Sequence, residues 1–330
     1  DLIFPLFVFI VGASLVFSLS RMIERDGRVA ALKRIITRSV ILFLLGIFYM
    51  GGVADGFKNI YLAGVLHRIA VAYFFTGVIF CFIGCRALSP PREERAGERR
   101  LSNLKRSTSQ SNLFAMAFIC LGLLIGYWAL MTFVPVPGIG QPSLAVPGQN
   151  LAHYLDELYL SGKKFEGTLL STMAAVANCL LGVFAGLLLK SETVPLQKKV
   201  YYLLIGGLIS LLLGFAWAQN FPIIKLLWTS SYVLVACGYS ALLLAAFVQI
   251  IEIWQFKTWA QPFVWMGMNA ITIYLIANVL NFQRLAARFV GGDIRVALGN
   301  FAGLIQALLG TLLCFWVVHF LYRKKIFLRL

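Results

Sequence analysis

Apolar residues run along this chain in long unbroken blocks, with the polar residues gathered between them. Nine blocks stand out: Leu2 to Ser20, Ile35 to Gly52, Leu62 to Cys85, Leu113 to Val134, Thr168 to Leu189, Val200 to Ala218, Leu227 to Ile251, Pro262 to Phe282 and Phe301 to Tyr322. Each is close to the ~20 residues a helix needs to cross a hydrocarbon core about 30 Å thick, where every backbone polar group must be satisfied within the segment. Barrel strands are not expected, because they alternate apolar and polar positions over about ten residues. The pattern predicts an all-α protein, a polytopic transmembrane helix bundle with about nine spans in this stretch. The chain opens on Asp1 with no Met, basic leader or cleavage site, so the expectation is an N-terminal truncation and about ten spans in the full protein.

Composition agrees: 60% of the 330 residues are hydrophobic and 13% charged, against roughly 25% charged in soluble domains. The net charge of +16 does not point to nucleic acid, because the basic residues are divided among alternate loops instead of forming one patch. Placing the segment after the first block in the cytoplasm puts twenty-one Lys and Arg in inner loops and seven in outer ones, with Arg68 inside a block. That threefold bias sets Asp1 outside and the tail inside. The six cysteines fall within apolar blocks, without zinc or redox spacing, and read as packing residues; no metal is expected.

Residues 1–85 and 112–330 read as two parts of one bundle, joined by a disordered cytoplasmic linker at 86–111 that mixes Pro, Ser and both charge signs. The external loop at 135–167 ends in NLAHYLDELYL, whose apolar spacing suits an interfacial helix. GxxxG patterns at Gly122 with Gly126 and at Gly182 with Gly186 read first as packing within the chain and leave a homodimer open.

Arg68 is the residue in most need of explanation, since a cation within a span costs about 2.5 to 3.5 kcal/mol on insertion scales. It admits two readings: a side chain reaching the outer interface or pairing with Asp1 or Asp55, and a fixed cation facing an outward cavity. Its neighbour His67 is a candidate base, as a group that titrates near neutrality, although a lone His near a helix end is more often structural. His153 and His319 are weaker candidates. Two outer helix starts carry hydroxyls, Thr168, Ser171 and Thr172 on one, and Thr229, Ser230 and Ser231 after Lys225 and Trp228 on the other. Helix N-termini favour polar or anionic groups, while capping alone would account for Thr168. Asn178 and Asn269 each need a partner in the membrane. On the inner side, Arg34, Arg38, Arg323, Lys324 and Lys325 either anchor the topology or hold phosphates. No Walker loop, dinucleotide fingerprint or triad spacing is present in the sequence.

Six segments, taken in order, resemble the heparan-alpha-glucosaminide N-acetyltransferase family and its bacterial relatives: DLIFPLFVFIVGASL from Asp1, AGVLHRIAVAYF from Ala63, EGTLLSTMAAVANCLLGVFAG from Glu166, KLLWTSSYVL from Lys225, GMNAITIYL from Gly267 and LYRKKIFLRL at the end. The resemblance implies an acyltransferase of the EC 2.3.1 type, moving an acetyl group from cytoplasmic acetyl-CoA to an amino sugar or glycan across a bacterial inner membrane. It also implies a histidine in the outer loop before the DLIFP-like motif, a position that precedes Asp1. The chain departs from the pattern at His67, where Gln usually stands, and in the short stretch at Lys163, Lys164 and Phe165. On this reading Asp1, Arg68 and Asn269 serve catalysis. Ser171, Thr172, Lys225, Trp228, Thr229 and Ser230 hold the acceptor, and Arg34, Arg38, Arg323, Lys324 and Lys325 hold CoA. Membrane lipid and a sugar are the expected partners. An amino-sugar transporter is the alternative; it would need discontinuous helices, and the sequence offers few breaks. A structural subunit is a third reading.

Overall fold

The computed structural model describes residues 2–52, 60–84, 99–144, 146, 148–160 and 167–326, with backbone alone for 99–109, 278 and 279. The described residues are helical apart from loops and one isolated bridge between Val136 and Gly140. Seven helices are long and apolar enough to cross a membrane, or eight counting a bent pair, so this is a polytopic helical membrane protein. By contact the chain divides into two units, Asp1–Gln249 and Ile250–Leu330. The division thus falls after the seventh helix and not at the 86–111 linker. Residues 85–98 lie outside the described set, and from Arg99 onward the linker is helical.

The first unit holds α1 (Ile3–Tyr49), α2 (Val65–Phe82), α3 (Arg99–Phe133), α4 (Leu151–Tyr159), α5 (Thr168–Lys190), α6 (Leu196–Trp217) and α7 (Ser230–Val248). Helix α1 merges the first two apolar blocks, and its 47 residues are interrupted at Gly27 (φ 84°, ψ 175°), a conformation open essentially to glycine alone. The contacts on either side run in opposite directions. Before the break, Phe9 meets Gly182 and Ala13 meets Gly186, so this half runs parallel to α5. After it, Ile35 meets Gly77 and Gly46 meets His67, so this half runs antiparallel to α2. The chain therefore turns back at Gly27, within the polar run RMIERDGR. That turn separates the nine blocks of the sequence from the seven or eight helices counted by length.

Helix α5 is the centre of the unit, with 67% of its apolar window buried against 22% for α3 and α6. Small residues put it there: a Cβ on Gly182 would lie 2.0 Å from the Phe9 carbonyl oxygen, and one on Gly12 would lie 2.0 Å from that of Cys179. The other GxxxG pair does no such packing, since nothing lies within 4 Å of Gly122 and only Met173, at 3.6 Å, approaches Gly126. Asn178, at mid-helix, donates to the Pro5 carbonyl (2.9 Å) and accepts from the Cys237 thiol (2.6 Å), so its amide ties α1 and α7 to α5. Exposed Phe114, Phe118, Leu208 and Leu212 on α3 and α6 present the apolar surface that suits lipid.

The second unit holds α8 (Gln261–Met268), α9 (Ala270–Leu280), α10 (Phe282–Phe289), α11 (Gly292–Leu298) and α12 (Ala302–Arg323). Here the expectation of a continuous span from Pro262 to Phe282 is corrected: the helix breaks at Asn269 and bends by 68°. Gly267 and Asn269, two poor helix formers, flank the last residue of α8, which weakens the ladder at that point. The stretch after Phe282, read as an outer loop, folds into α10 and α11.

Candidate functional site

Arg68 lies in the first turn of α2 and is buried, with 6% of its surface exposed. Its Nη2 donates to Thr168 Oγ1 at 3.5 Å, and its Cζ lies 5.7 Å from the Trp228 ring centroid. A guanidinium at this range is drawn to the negative face of an indole. Trp228 is itself fixed by edge contacts with Phe4 (5.1 Å between centroids) and Tyr232 (6.2 Å). Its backbone is left-handed (φ 51°), a strained conformation for a bulky residue that costs about 1–3 kcal/mol. The starts of α1, α2, α5 and α7 thus converge on one buried cation. The Arg68 guanidinium and the indole of Trp228 come together here, while Asp1 lies outside the described residues.

Thr168 is held from the other side by Asp156 of α4. The Thr168 and Leu169 N–H groups donate to the two Asp156 carboxylate oxygens at 2.6 and 2.9 Å. A buried carboxylate on the first turn of a helix satisfies two N–H groups that have no helical partner and meets the positive end of the dipole. Helix α4, the helix expected in this segment, buries Ala152, His153 and Asp156 against the rest of the unit. Gly167 (φ 62°) makes the junction possible, since a Cβ there would approach Leu227 at 2.9 Å and Ala152 at 3.0 Å.

The hydroxyl clusters are largely occupied by backbone. Ser171 and Thr172 both donate to the Thr168 carbonyl, at 3.3 and 2.9 Å. Ser230 donates to Leu124 O (2.7 Å), Ser231 donates to Phe221 O (2.6 Å), and Thr229 Oγ1 accepts from the Ile224 N–H (3.1 Å). Tyr127 donates to the Leu227 carbonyl. These bonds fix the 221–230 loop and the attitude of Trp228, with Lys225 exposed at its tip. Four of the six acceptor candidates therefore have their hydroxyls engaged with backbone.

His67 points elsewhere. It packs edge-on against Phe43 (4.7 Å) and fills the space left by Gly46 and Gly64. Neither of its ring nitrogens has a hydrogen-bond partner. It thus faces the second half of α1, while Arg68 faces α5. His153 accepts at Nδ1 from the Gly148 N–H (2.9 Å) and lies 3.0 Å from the Asn150 amide nitrogen, which makes it a neutral ring protonated on Nε2. Burial holds its pKa below the ordinary value, and nearby Asp156 opposes that shift.

Near the middle of α2, Arg38 lies over the Tyr73 ring (4.9 Å), half-buried, and Arg34 is exposed one turn before it. In the second unit Arg323 ends α12, with Lys324 and Lys325 exposed just after it, and Asn269 is buried at the helix break. Among the described residues no group of His, Cys, Asp and Glu could hold a metal. Sequence reasoning passed over Asp156 and Tyr127. Asp156 could have been singled out as one of only 13 acidic residues, set in a helical segment just before a helix start.

No protein-family model matches the chain. It is similar to the curated heparan-alpha-glucosaminide N-acetyltransferase of Homo sapiens, with 27% identity over 375 residues that cover 99% of the chain and 53% of the relative. The Mus musculus enzyme of the same name aligns at 27% over 370 residues, covering 99% of the chain and 54% of the relative. The chain is a distant homologue of these membrane acetyltransferases. It spans about half the length of the curated relatives it matches, and the likeness runs from its first helix to its last.

Proposed function

We propose that the chain is the membrane part of an acetyltransferase that moves an acetyl group from acetyl-CoA to an amine or hydroxyl of a sugar across the bilayer. The observation that carries this reading is the likeness to heparan-alpha-glucosaminide N-acetyltransferases through 99% of the chain. The geometry suits it. A buried cation framed by Trp228 and Thr168 closes one end of the first unit, where an electron-rich acceptor would be oriented. Arg34 and Arg38 of the first unit, and separately Arg323, Lys324 and Lys325 of the second, carry charges of the kind that CoA phosphates need. In this scheme the acetyl-CoA side is cytoplasmic, the Arg68 end faces outward, and a bacterial inner membrane is the setting.

Transport of amino sugars is the second reading, and one observation favours it: the broken span at Asn269 is of the kind that transporters place at a binding site. The two separate in one experiment on the natural full-length protein in proteoliposomes. Labelled acetyl-CoA supplied on the side of Arg34 should pass its acetyl group to glucosamine on the other. A folded protein that binds no acetyl-CoA at millimolar concentration, yet accumulates labelled glucosamine, would replace the first reading with the second.

A further inference from the structure

The break at Asn269 places two unspent polar side chains inside a span. Asn269 is 1% exposed, and neither its Oδ1 nor its Nδ2 has a hydrogen-bond partner. As the N-cap of α9 its side chain would ordinarily accept from the next turn, yet it makes no such bond. Thr272, one turn further on and so on the same face, has a buried Oγ1 that is also without a partner. Around them are the first N–H groups of α9, which a helix leaves without an internal acceptor. Irregular backbone at membrane depth is found where it is buried in protein or lines a cavity. A cavity of about 300 Å³ runs from Met266 of α8 to the far end of α9 at Ala277, bounded by Gln283 of α10 and by Gly310, Thr311 and Cys314 of α12; Asn269 and Thr272 are not among its lining residues.

An unsatisfied amide in a low-dielectric interior is costly, so its retention needs a partner that arrives with a ligand. The available atoms are mostly donors: the Asn269 NH₂, the Thr272 hydroxyl and the α9 N–H groups. They match an oxygen that gains negative charge.

We infer that the α8–α9 break binds the acyl carbonyl oxygen of the donor thioester, with Asn269 and Thr272 as its hydrogen-bond donors. The inference rests on the acetyltransferase reading and names the residues that stabilise its transition state. In the step itself the acceptor nitrogen attacks the carbonyl carbon, and the C=O π pair moves onto oxygen, where Asn269 and Thr272 hold it. The pair then returns, the C–S bond breaks, and the sulfur leaves with the bonding electrons and ends as the CoA thiol, taking up the proton that the amine has lost. Donors set in advance act on the charged intermediate more than on the neutral thioester, so they lower the barrier more than they tighten binding.

The test uses the full-length protein in nanodiscs. Asn269→Ala, and Asn269→Leu, which keeps the bulk but has no donor, should each cut kcat by about a hundredfold. Thr272→Val should cut it by about tenfold, and the acetyl-CoA Kd should move by less than about threefold in every variant. Infrared spectra of bound ¹³C-acetyl-CoA should show the carbonyl band lowered in the wild type and restored in Asn269→Ala. Wild-type kcat in Asn269→Ala or Asn269→Leu, or a carbonyl band unmoved by the wild-type protein, overturns the inference while leaving the acetyltransferase standing. Absence of acetyl-CoA binding by folded wild-type protein overturns both. Should the Asn269 variants not fold, Thr272→Val decides: a kcat unchanged from wild type is the overturning result.

Discussion

Arg68 draws its setting from four helices, so its removal tests the site more sharply than the loss of any hydroxyl around it. In the full-length protein Arg68→Ala should abolish acetyl transfer while leaving expression and folding intact, and turnover at the wild-type rate would remove Arg68 from the mechanism. Arg68→Lys should not rescue it, because an ammonium has neither the flat face that meets Trp228 nor the fork that reaches Thr168. Asp156 belongs to the scaffold of the same site: Asp156→Ala frees two N–H groups and should lower stability by about 2 kcal/mol, read as a drop in Tm. His153 gives the outer loop a pH dependence. Its folded pKa lies below the ordinary value of about 6.5, so the folded loop favours the neutral ring. That stabilising contribution is intact above pH 6.5 and declines as pH falls below it, because the opened loop takes up a proton that the folded one refuses. Hydrogen-exchange protection factors across residues 148–160, with the intrinsic pH dependence of exchange divided out, should therefore fall between pH 7.5 and 5.5, and Gln at position 153 should flatten the response. At this scale the sequence spoke unevenly. Arg68 was legible because a cation in an apolar block is costly wherever it points. Asp156 was not, because its value depends on a helix start twelve residues later in the chain.

At the scale of the helix, glycine decides which neighbours touch. Gly182→Ala and Gly12→Ala each place a Cβ 2.0 Å from a backbone carbonyl oxygen, where no side chain can give way. Each should destabilise by about 1–3 kcal/mol. Gly122→Ala meets nothing within 4 Å and should be neutral or slightly stabilising; a thermal melt in detergent ranks the three. The two GxxxG motifs look alike as text, and only the fold tells them apart. The apolar blocks were readable because twenty residues of lipid contact leave a signature in every position. The reversal at Gly27 and the bend at Asn269 were less so: the first hides in a polar run, and the second hides in a run that stays apolar throughout. His67, beside Arg68 in sequence, proves a hundred degrees away from it around the helix, packed on Phe43.

Across the first unit the helices alternate in direction. The first half of α1, with α2, α5 and α7, runs away from the Arg68 end, while the second half of α1, with α3 and α6, returns to it. The Gly27 turn and the α5–α6 connection consequently meet, as in the Lys190 to Glu24 ion pair (3.4 Å), at the end remote from Lys225. The positive-inside expectation assigns that end to the cytoplasm, and impermeant maleimide tests it. Lys225→Cys should label in intact cells and Lys198→Cys only after permeabilisation, with Cys81, Cys120, Cys179 and Cys237 shielded by burial. Labelling of both from one side would break the scheme. Asp156 has a mechanical meaning at this scale. Two bonds of 2.6 and 2.9 Å couple α4 to the tip of α5, and the next atom along that line of force is the Thr168 hydroxyl on Arg68. Helix α4 is in effect a handle on the central rod of the bundle, and any displacement of it would be passed through Thr168 to the guanidinium beyond.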